Sequence, residues 1–372
     1  EDRRVVRVRD VHGTFHRVDV TEADEPERPL LEHYSLVEER DLAALLPEEL
    51  AEDDFVAFFQ NPETSWRPYA AGLPWIRDSQ CRKKLSSCLK KLDTIGAEES
   101  CIAYISSESG AGGTTLARML AWECAREGYP VLMARAVPFI PNALPVANFL
   151  NRIRHQIDDQ TTHDKESGGE QGDSQAPGGD GRDVSRRYET PWLIVFDSLH
   201  WQYRDSELVR FLNELEKSGR PVCVLVVTGS VLGLSFFNTS TFKSVAELNH
   251  ALDGSEARQL GRHLNRFLRV YGKERQDWQW DQFYQDHNVR YLEGTSAFWV
   301  TLSFWIQGQY DLSESIQQWM YRSFKANARE QIVQNAILEI AALSSERLPL
   351  PEALLPVAAG QWPVSHLLED AK

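Results

Sequence analysis

This 372-residue chain has no run of about 18 consecutive apolar residues, the length a helix needs to cross a bilayer. No membrane span is therefore expected, and no secretory leader is visible. An excess of positive charge is also missing. The formal net charge is -15, whereas a domain built to grip a nucleic-acid backbone is usually basic. Direct nucleic-acid binding is not expected, and the basic runs Arg3 to Arg9 and Arg82 to Lys91 read as solvated faces. Cysteine is sparse: Cys81, Cys88, Cys101, Cys124 and Cys223 form no CxxC pair and no Cys/His cluster. That excludes a zinc ribbon and a disulfide framework. Cys101 and Cys223 sit in apolar runs and read as core, and the expected compartment is reducing and cytoplasmic. No internal repeat is present.

What is there is ordinary globular material, 42% hydrophobic and 26% charged, at a length that suggests two or three domains. The chain opens at Glu1 without an initiator Met and stops in a helical, acidic stretch; it is expected to be a piece of a longer protein. Residues 1–20 alternate apolar and polar around His12-Gly13, a hairpin pattern, and an acidic linker completes residues 1–30. Residues 31–93 read as a helical and aromatic linker: helices over 31–60 with Pro47 starting one, a Trp- and Pro-rich stretch over 61–78, and a basic amphipathic helix over 79–93.

An α/β pattern follows over 94–245. Short apolar runs at Cys101–Ser106, Val131–Ala134, Trp192–Phe196 and Val222–Val227 alternate with helical stretches at 114–127, 144–158 and 205–218. Strands alternating with helices predict a parallel sheet. Residues 161–187, rich in Gly, Ser, Asp and Gln, lack apolar periodicity and are expected to form a disordered, dispensable insertion. After about residue 245 the strands are expected to stop. Helical periodicity then covers 254–271, 278–288, 295–307, 313–325 and 328–343.

The segment that carries chemistry is Ser107-Glu108-Ser109-Gly110-Ala111-Gly112-Gly113-Thr114-Thr115-Leu116-Ala117. It follows an apolar strand and opens a helix, the context a phosphate loop requires. Glycines let the backbone turn and aim its N–H groups, together with the helix N-terminus, at phosphate oxygens. Thr114 holds the position whose hydroxyl would ligate Mg²⁺. Gly113 stands where the motif expects a Lys that reaches the β- and γ-phosphates, so weaker binding or slower hydrolysis is expected; Arg118, one turn on, is a candidate replacement. The second motif, Leu193-Ile194-Val195-Phe196-Asp197, is an apolar strand ending in an acid. Asp197 is the expected partner of Mg²⁺ or its water, and the catalytic candidate. Ser198 follows it where a second acid would serve as base, leaving His200 and Asp205 as nearby alternatives. Thr228, at the end of a further strand, is either a γ-phosphate sensor or part of a structural turn.

Taken together these motifs resemble the STAND class of signal-transduction P-loop ATPases. Pro74-Trp75-Ile76-Arg77-Asp78 is similar to the hydrophobic-Gly-Arg-Glu segment that cups adenine in that class, with Trp75 in place of the Gly. The resemblance assigns base contacts to the backbone of Ile76 and the side chain of Arg77. Ala251-Leu252-Asp253-Gly254-Ser255-Glu256-Ala257 resembles the start of the class's helical lid, taken as 246–325. Gly294-Thr295-Ser296-Ala297 resembles its Gly-Leu-Pro-Leu-Ala turn, with Ser296 where Pro stacks on adenine. Residues 326–372 resemble the opening of a winged-helix domain. More narrowly, Gly110-Ala111-Gly112-Gly113-Thr114-Thr115-Leu116-Ala117 is similar to the Lys-less loop of vertebrate antiviral proteins with sterile-alpha-motif domains and of bacterial defence relatives with sirtuin-like effectors. Phe58-Phe59 through Trp66-Arg67 resembles the aromatic linker of the latter.

The resemblance implies an ATP- or ADP-bound switch with Mg²⁺. It also implies self-association, an effector upstream, a sensor downstream, and a role in innate immune, antiviral or anti-phage defence. Enzymatic turnover is expected to be slow at most. The alternative is a pseudo-ATPase scaffold without nucleotide, whose helical half binds partners. A small-molecule kinase has no substrate-binding acid or Arg-rich lid to support it.

Overall fold

The computed structural model describes residues 3–10, 13–21, 28–51, 54, 58, 65–92, 100–108, 110–135, 142–167, 190–197, 205–217, 222–228, 242–272, 274–287, 324–325 and 330–345. The chain divides into two compact units. The first comprises Glu1–Ile105, Thr114–Thr228 and Gly233–Ala246; the second comprises Ser106–Gly113, Gly229–Leu232 and Glu247–Lys372.

The first unit opens with an antiparallel hairpin, β1 (Val5–Arg9) and β2 (Phe15–Asp19), in register from Val5 opposite Asp19 to Arg9 opposite Phe15. Val6, Val8, Val18 and Val20 alternate along it and join the main core beside Phe149, Ile194 and Phe211, the period of two that a one-sided strand pair produces. The hairpin also meets the tight turn at Gly128. Arg9 N–H donates to the Gly128 carbonyl at 2.9 Å. With φ +89°, a Cβ on Gly128 would lie 2.5 Å from the Arg9 Cβ. Only glycine fits that turn.

The next elements are α1 (Arg28–His33) and β3 (Tyr34–Leu36), then single 3-10 turns at Glu39–Asp41 and Pro47–Glu49. The expected helices over 31–60 are thus replaced, across 34–50, by a strand and two single turns. Tyr34 and Leu36 are buried and β3 pairs antiparallel with β5 below. Pro47 does start a turn, but Leu50 returns to extended backbone (φ -80, ψ 128). The short α2 (Arg67–Ala70) and the amphipathic α3 (Gln80–Leu92) follow; α3 buries Cys81, Leu85, Cys88, Leu89 and Leu92 and exposes Arg82, Lys83, Lys84 and Lys90.

The sheet is laid down by β4 (Cys101–Ser107), α4 (Gly113–Arg126), β5 (Val131–Ala134), α5 (Ala143–Ser167), β6 (Trp192–Phe196), α6 (Asp205–Lys217), β7 (Val222–Thr228) and β8 (Phe242–Leu248). Its order is β3-β5-β6-β7-β4-β8, with β5, β6 and β7 parallel. Every residue of β6 and β7 is buried, which is why both read as unbroken apolar runs. Helices supply periodic faces to this core: Phe149, Leu150 and Ile153 from α5, and Leu208, Phe211, Leu212 and Leu215 from α6. Edge-to-face rings lock them, Phe196 to Phe211 at 5.8 Å and Phe149 to Trp192 at 5.5 Å. Cys223 is fully buried, Cys101 is partly so with its Sγ 3.4 Å from Cys223 Sγ, and all five cysteines are free.

Two sequence expectations need correction. Helix α5 runs on to Ser167, so the first residues of the segment read as a disordered insertion over 161–187 are helical. Apolar periodicity ends at Ile157, but a helix propagates by backbone hydrogen bonds beyond its buried face. The remainder, 168–187, lies outside the described residues. Strand β8 continues past residue 245, where strands were expected to stop. Its Lys243 and Glu247 are exposed, and these charges broke the apolar run that identified the inner strands.

In the second unit, α7 (Gly254–Leu268) runs into a 3-10 turn at Arg269–Tyr271, and α8 (Asp277–His287) and α9 (Gln331–Ser345) follow. Asp253 caps α7: its carboxylate accepts from the N–H groups of Ser255 and Glu256, both at 2.8 Å, and Glu256 accepts from Asp253 N–H at 3.0 Å, a full capping box. Gly261 brings α8 close. A Cβ there would stand 2.6 Å from the ring of Trp280, itself 1% exposed. Arg262–Asp277 at 2.7 Å and Arg258–Asp281 at 2.5 Å bracket that contact.

Candidate functional site

The glycine segment joins strand β4 to helix α4. Ile102, Ala103, Ile105, Ser106 and Ser107 are buried, so the strand delivers the loop from the inside of the sheet. Ala111 N–H donates to the Glu108 carbonyl at 3.1 Å and closes a tight turn, and Ser107 Oγ donates to the same carbonyl at 3.0 Å. Gly110 (φ 76) and Gly112 (φ 89) flank Ala111 in the left-handed region. Any other residue would strain there. Among the described residues, nothing lies within 4 Å of where a Cβ on Gly112 would be. Gly112 therefore supplies conformation, and no described residue fills that side of the loop.

Helix α4 starts at Gly113, and the first N–H groups of any helix have no intrahelical acceptor. Together with the helix dipole they favour an anion at this end. Thr114 and Thr115, in that first turn, are half-buried. Gly110, Ala111, Gly112, Gly113, Thr114 and Thr115 thus form one continuous strand-turn-helix cradle whose shape suits a phosphate.

Asp197 follows the last residue of β6 and is 9% exposed; Thr228 ends β7 and is buried. Because β6 and β7 are parallel, with Phe196 opposite Val226, these polar groups stand at adjacent carboxyl ends of the sheet. β7 in turn neighbours β4 in the strand order. The chain leaves β4 for β5, which lies beyond β6 and β7, returns through β6 and β7, and then places β8 on β4's other side. Such reversals of strand order are where open α/β sheets hold ligands.

Ile76 and Arg77 lie half-buried in the irregular chain between α2 and α3. Asp78 next to them anchors α3 by accepting Gln80 N–H at 2.8 Å. Ser296 and the rest of Gly294 to Ala297 lie outside the described residues, as do His200 and the side chain of Asp205.

Arg118 is not a stand-in for the missing lysine. Its guanidinium is 4.3 Å from the centroid of the Trp66 ring and 5.3 Å from that of Tyr69, and the residue is 5% exposed. Burial against two aromatic faces makes it a cation–π strut, worth about 2 kcal/mol when desolvated. It ties α4 to the Trp66 segment, not to a phosphate. No sequence spacing signals this pairing, because the partners are far apart in the chain.

A second feature escaped the motif reading. Glu108, inside the glycine segment, donates its N–H to the Leu248 carbonyl at 2.9 Å; its Oε2 accepts from His250 N–H at 2.8 Å and is hydrogen-bonded to His250 Nδ1. Glu108 was visible in the motif without a role, and nothing local marks His250.

Comparison with known proteins yields no match among curated sequences. Among solved structures, the Thermotoga maritima RuvB Holliday junction branch migration motor is 14% identical, with 76% of this chain and 81% of that one covered and a TM-score of 0.34. AMPPCP-bound DnaA from Aquifex aeolicus is 14% identical, with 81% of both chains covered and a TM-score of 0.32. A chain of the E. coli MS115-1 HORMA:CdnC:Trip13 complex is 9% identical, with 76% and 87% covered and a TM-score of 0.32. A family model described as novel STAND NTPase 7 matches residues 89–372. The chain belongs to that family of P-loop NTPases and is a nucleotide-binding module. Among the described residues, no helix is long and apolar enough to cross a membrane.

Proposed function

We propose that this member of the novel STAND NTPase 7 family is a nucleotide-gated switch, with ATP or ADP placing its phosphates on Gly110, Ala111, Gly112, Gly113, Thr114 and Thr115. The observation that carries the reading is the pair of left-handed glycines, Gly110 and Gly112, at the junction of a buried strand and a helix N-terminus. Ile76 through its backbone, Arg77 through its side chain, and Ser296 are assigned to the base. The Thr114 hydroxyl and the Asp197 carboxylate would hold Mg²⁺, a cation that takes oxygen ligands and is held by one or two protein groups plus phosphates. The ion would supply charge neutralisation at the phosphates.

On this reading residues 94–245 are the NTPase domain, 246–325 a helical lid and 326–372 the start of a winged-helix domain. Nucleotide state controls self-association. An effector upstream and a sensor downstream are the partners, and the setting is cytoplasmic innate immune, antiviral or anti-phage defence. Hydrolysis is slow, because Gly113 offers no cation and Ser198, not an acid, follows Asp197. Gly113 also favours a second reading, a scaffold that has lost nucleotide altogether.

Denaturing the purified chain and identifying released nucleotide by mass spectrometry, alongside a turnover assay, separates the two. The switch predicts stoichiometric ADP or ATP and turnover below roughly one per second, the low end for typical enzymes. No bound nucleotide and no uptake of added Mg²⁺–ATP would leave the scaffold.

A further inference from the structure

We infer that Glu108 and His250 form a latch that makes the phosphate loop and the start of α7 respond as one element, an inference that rests on the nucleotide-switch reading above. A carboxylate inside a loop that receives phosphates is unfavourable by charge alone, since like charges repel. Here the carboxylate is turned to another task. Glu108 makes three links to one short stretch: its N–H to the Leu248 carbonyl at 2.9 Å, its Oε2 to His250 N–H at 2.8 Å, and the same oxygen to His250 Nδ1. Two of these involve an ionised acceptor and belong to the stronger class of hydrogen bond.

The same residue also shapes the loop, because the Glu108 carbonyl accepts Ala111 N–H at 3.1 Å and so closes the turn between Gly110 and Gly112. On the other side of the latch, His250 stands three residues before Asp253, whose capping box begins α7. Phosphate contact at Gly110 to Thr115 therefore pulls on a residue whose backbone sets the turn and whose side chain holds the approach to α7. Glu108 and His250 act as positioning residues; neither is assigned to touch the nucleotide. Both side chains are partly exposed, His250 at 41% and Glu108 at 32%, so breaking the pair opens no core.

The test is residue-resolved hydrogen exchange on the full chain, wild type against Glu108→Ala, His250→Ala and Glu108→Gln, with and without Mg²⁺–ADP, and with binding of a fluorescent ADP measured in parallel. Without nucleotide, Glu108→Ala and His250→Ala raise exchange about tenfold at Ala111 and at Ser255, Glu256 and Ala257 together, with little change in the sheet. Glu108→Gln keeps an acceptor oxygen and restores most of the protection. With Mg²⁺–ADP, the wild type gains protection at both sites, while Glu108→Ala gains it at the loop alone. Acceleration confined to His250, or equal nucleotide-induced protection of α7 in Glu108→Ala and wild type, overturns the latch. Absence of fluorescent-ADP binding by the wild type sinks the nucleotide reading instead. The nucleotide-free comparison still decides whether the loop and α7 move together.

Discussion

Helix α4, after the glycine loop, and helix α7, after the latch, are built on opposite plans. In α4 the buried residues run around the whole helix, from Leu116 through Ala121 to Ala125. Its polar groups are engaged as well: Trp122 Nε1 donates to the Asp41 carbonyl at 2.8 Å, Glu123 pairs with Arg82, and Arg118 lies against Trp66 and Tyr69. Helix α7 buries one stripe only, Ala257, Leu260, Gly261, Leu264, Phe267 and Leu268, and turns Arg258, Gln259, Arg262 and Arg266 to water. A helix covered on all sides cannot shift without opening the core. A helix held by one stripe and a cap sits nearer the low-stability end of the structure, from which moving elements are drawn. Helix α4 is thus enclosed on all sides, whereas α7 is buried along a single stripe.

The largest effect should come from breaking the enclosure of α4. Trp122→Ala removes a buried indole and its bond to Asp41 and is expected to cost about 3–5 kcal/mol in urea unfolding; a loss below about 1 kcal/mol would mean α4 is not enclosed as described. Next is Gly261→Ala, whose methyl would collide with Trp280. Overpacking of this kind costs about 1–3 kcal/mol, and adding Trp280→Leu should recover part of it, because contacting sites are not additive. Full additivity would contradict the contact. Asp253→Ala removes the cap of α7 and is expected to cost about 1 kcal/mol, read as faster exchange at Ser255 and Glu256 with the sheet unchanged.

The smallest effect lies outside both helices. Thr21, first through its side chain, and then Arg3 hold the Asp19 carboxyl at about 2, below its ordinary 3.8. A carboxyl depressed in the folded state stabilises above its unfolded value and loses that contribution as pH falls from 3.8 toward 2. An NMR titration of Asp19 should show the low midpoint. Since the group lies at the surface, the shift in folding stability across that window should be slight; a midpoint near 3.8 would show the contacts are not held in solution.

What could be read from sequence follows from where burial is two-sided. Leu193 to Phe196 and Val222 to Val227 are unbroken apolar runs because both sheet faces are covered, and they are the observed strands β6 and β7. The glycine segment was legible because left-handed backbone demands glycine at Gly110 and Gly112. Strand β8 was not, since its Lys243 and Glu247 interrupt the pattern, and β3 was too short to show an alternation. Long-range pairings left no local trace. Arg118 looked like a phosphate cation from its place on the helix, but Trp66 and Tyr69 claim it. Glu108 and His250 meet across 142 positions of chain.

The claim on which the rest depends is that the loop from Gly110 to Thr115 is a phosphate site. Its most direct test follows backbone amide signals of these residues while Mg²⁺–ADP is titrated into the purified chain, with Gly112→Val as the control that a left-handed position cannot accept. The account predicts saturable shifts centred on Gly110, Gly112, Thr114 and Thr115 in the wild type and none in Gly112→Val. Saturable binding that leaves these amides unmoved, or that survives unchanged in Gly112→Val, would contradict it.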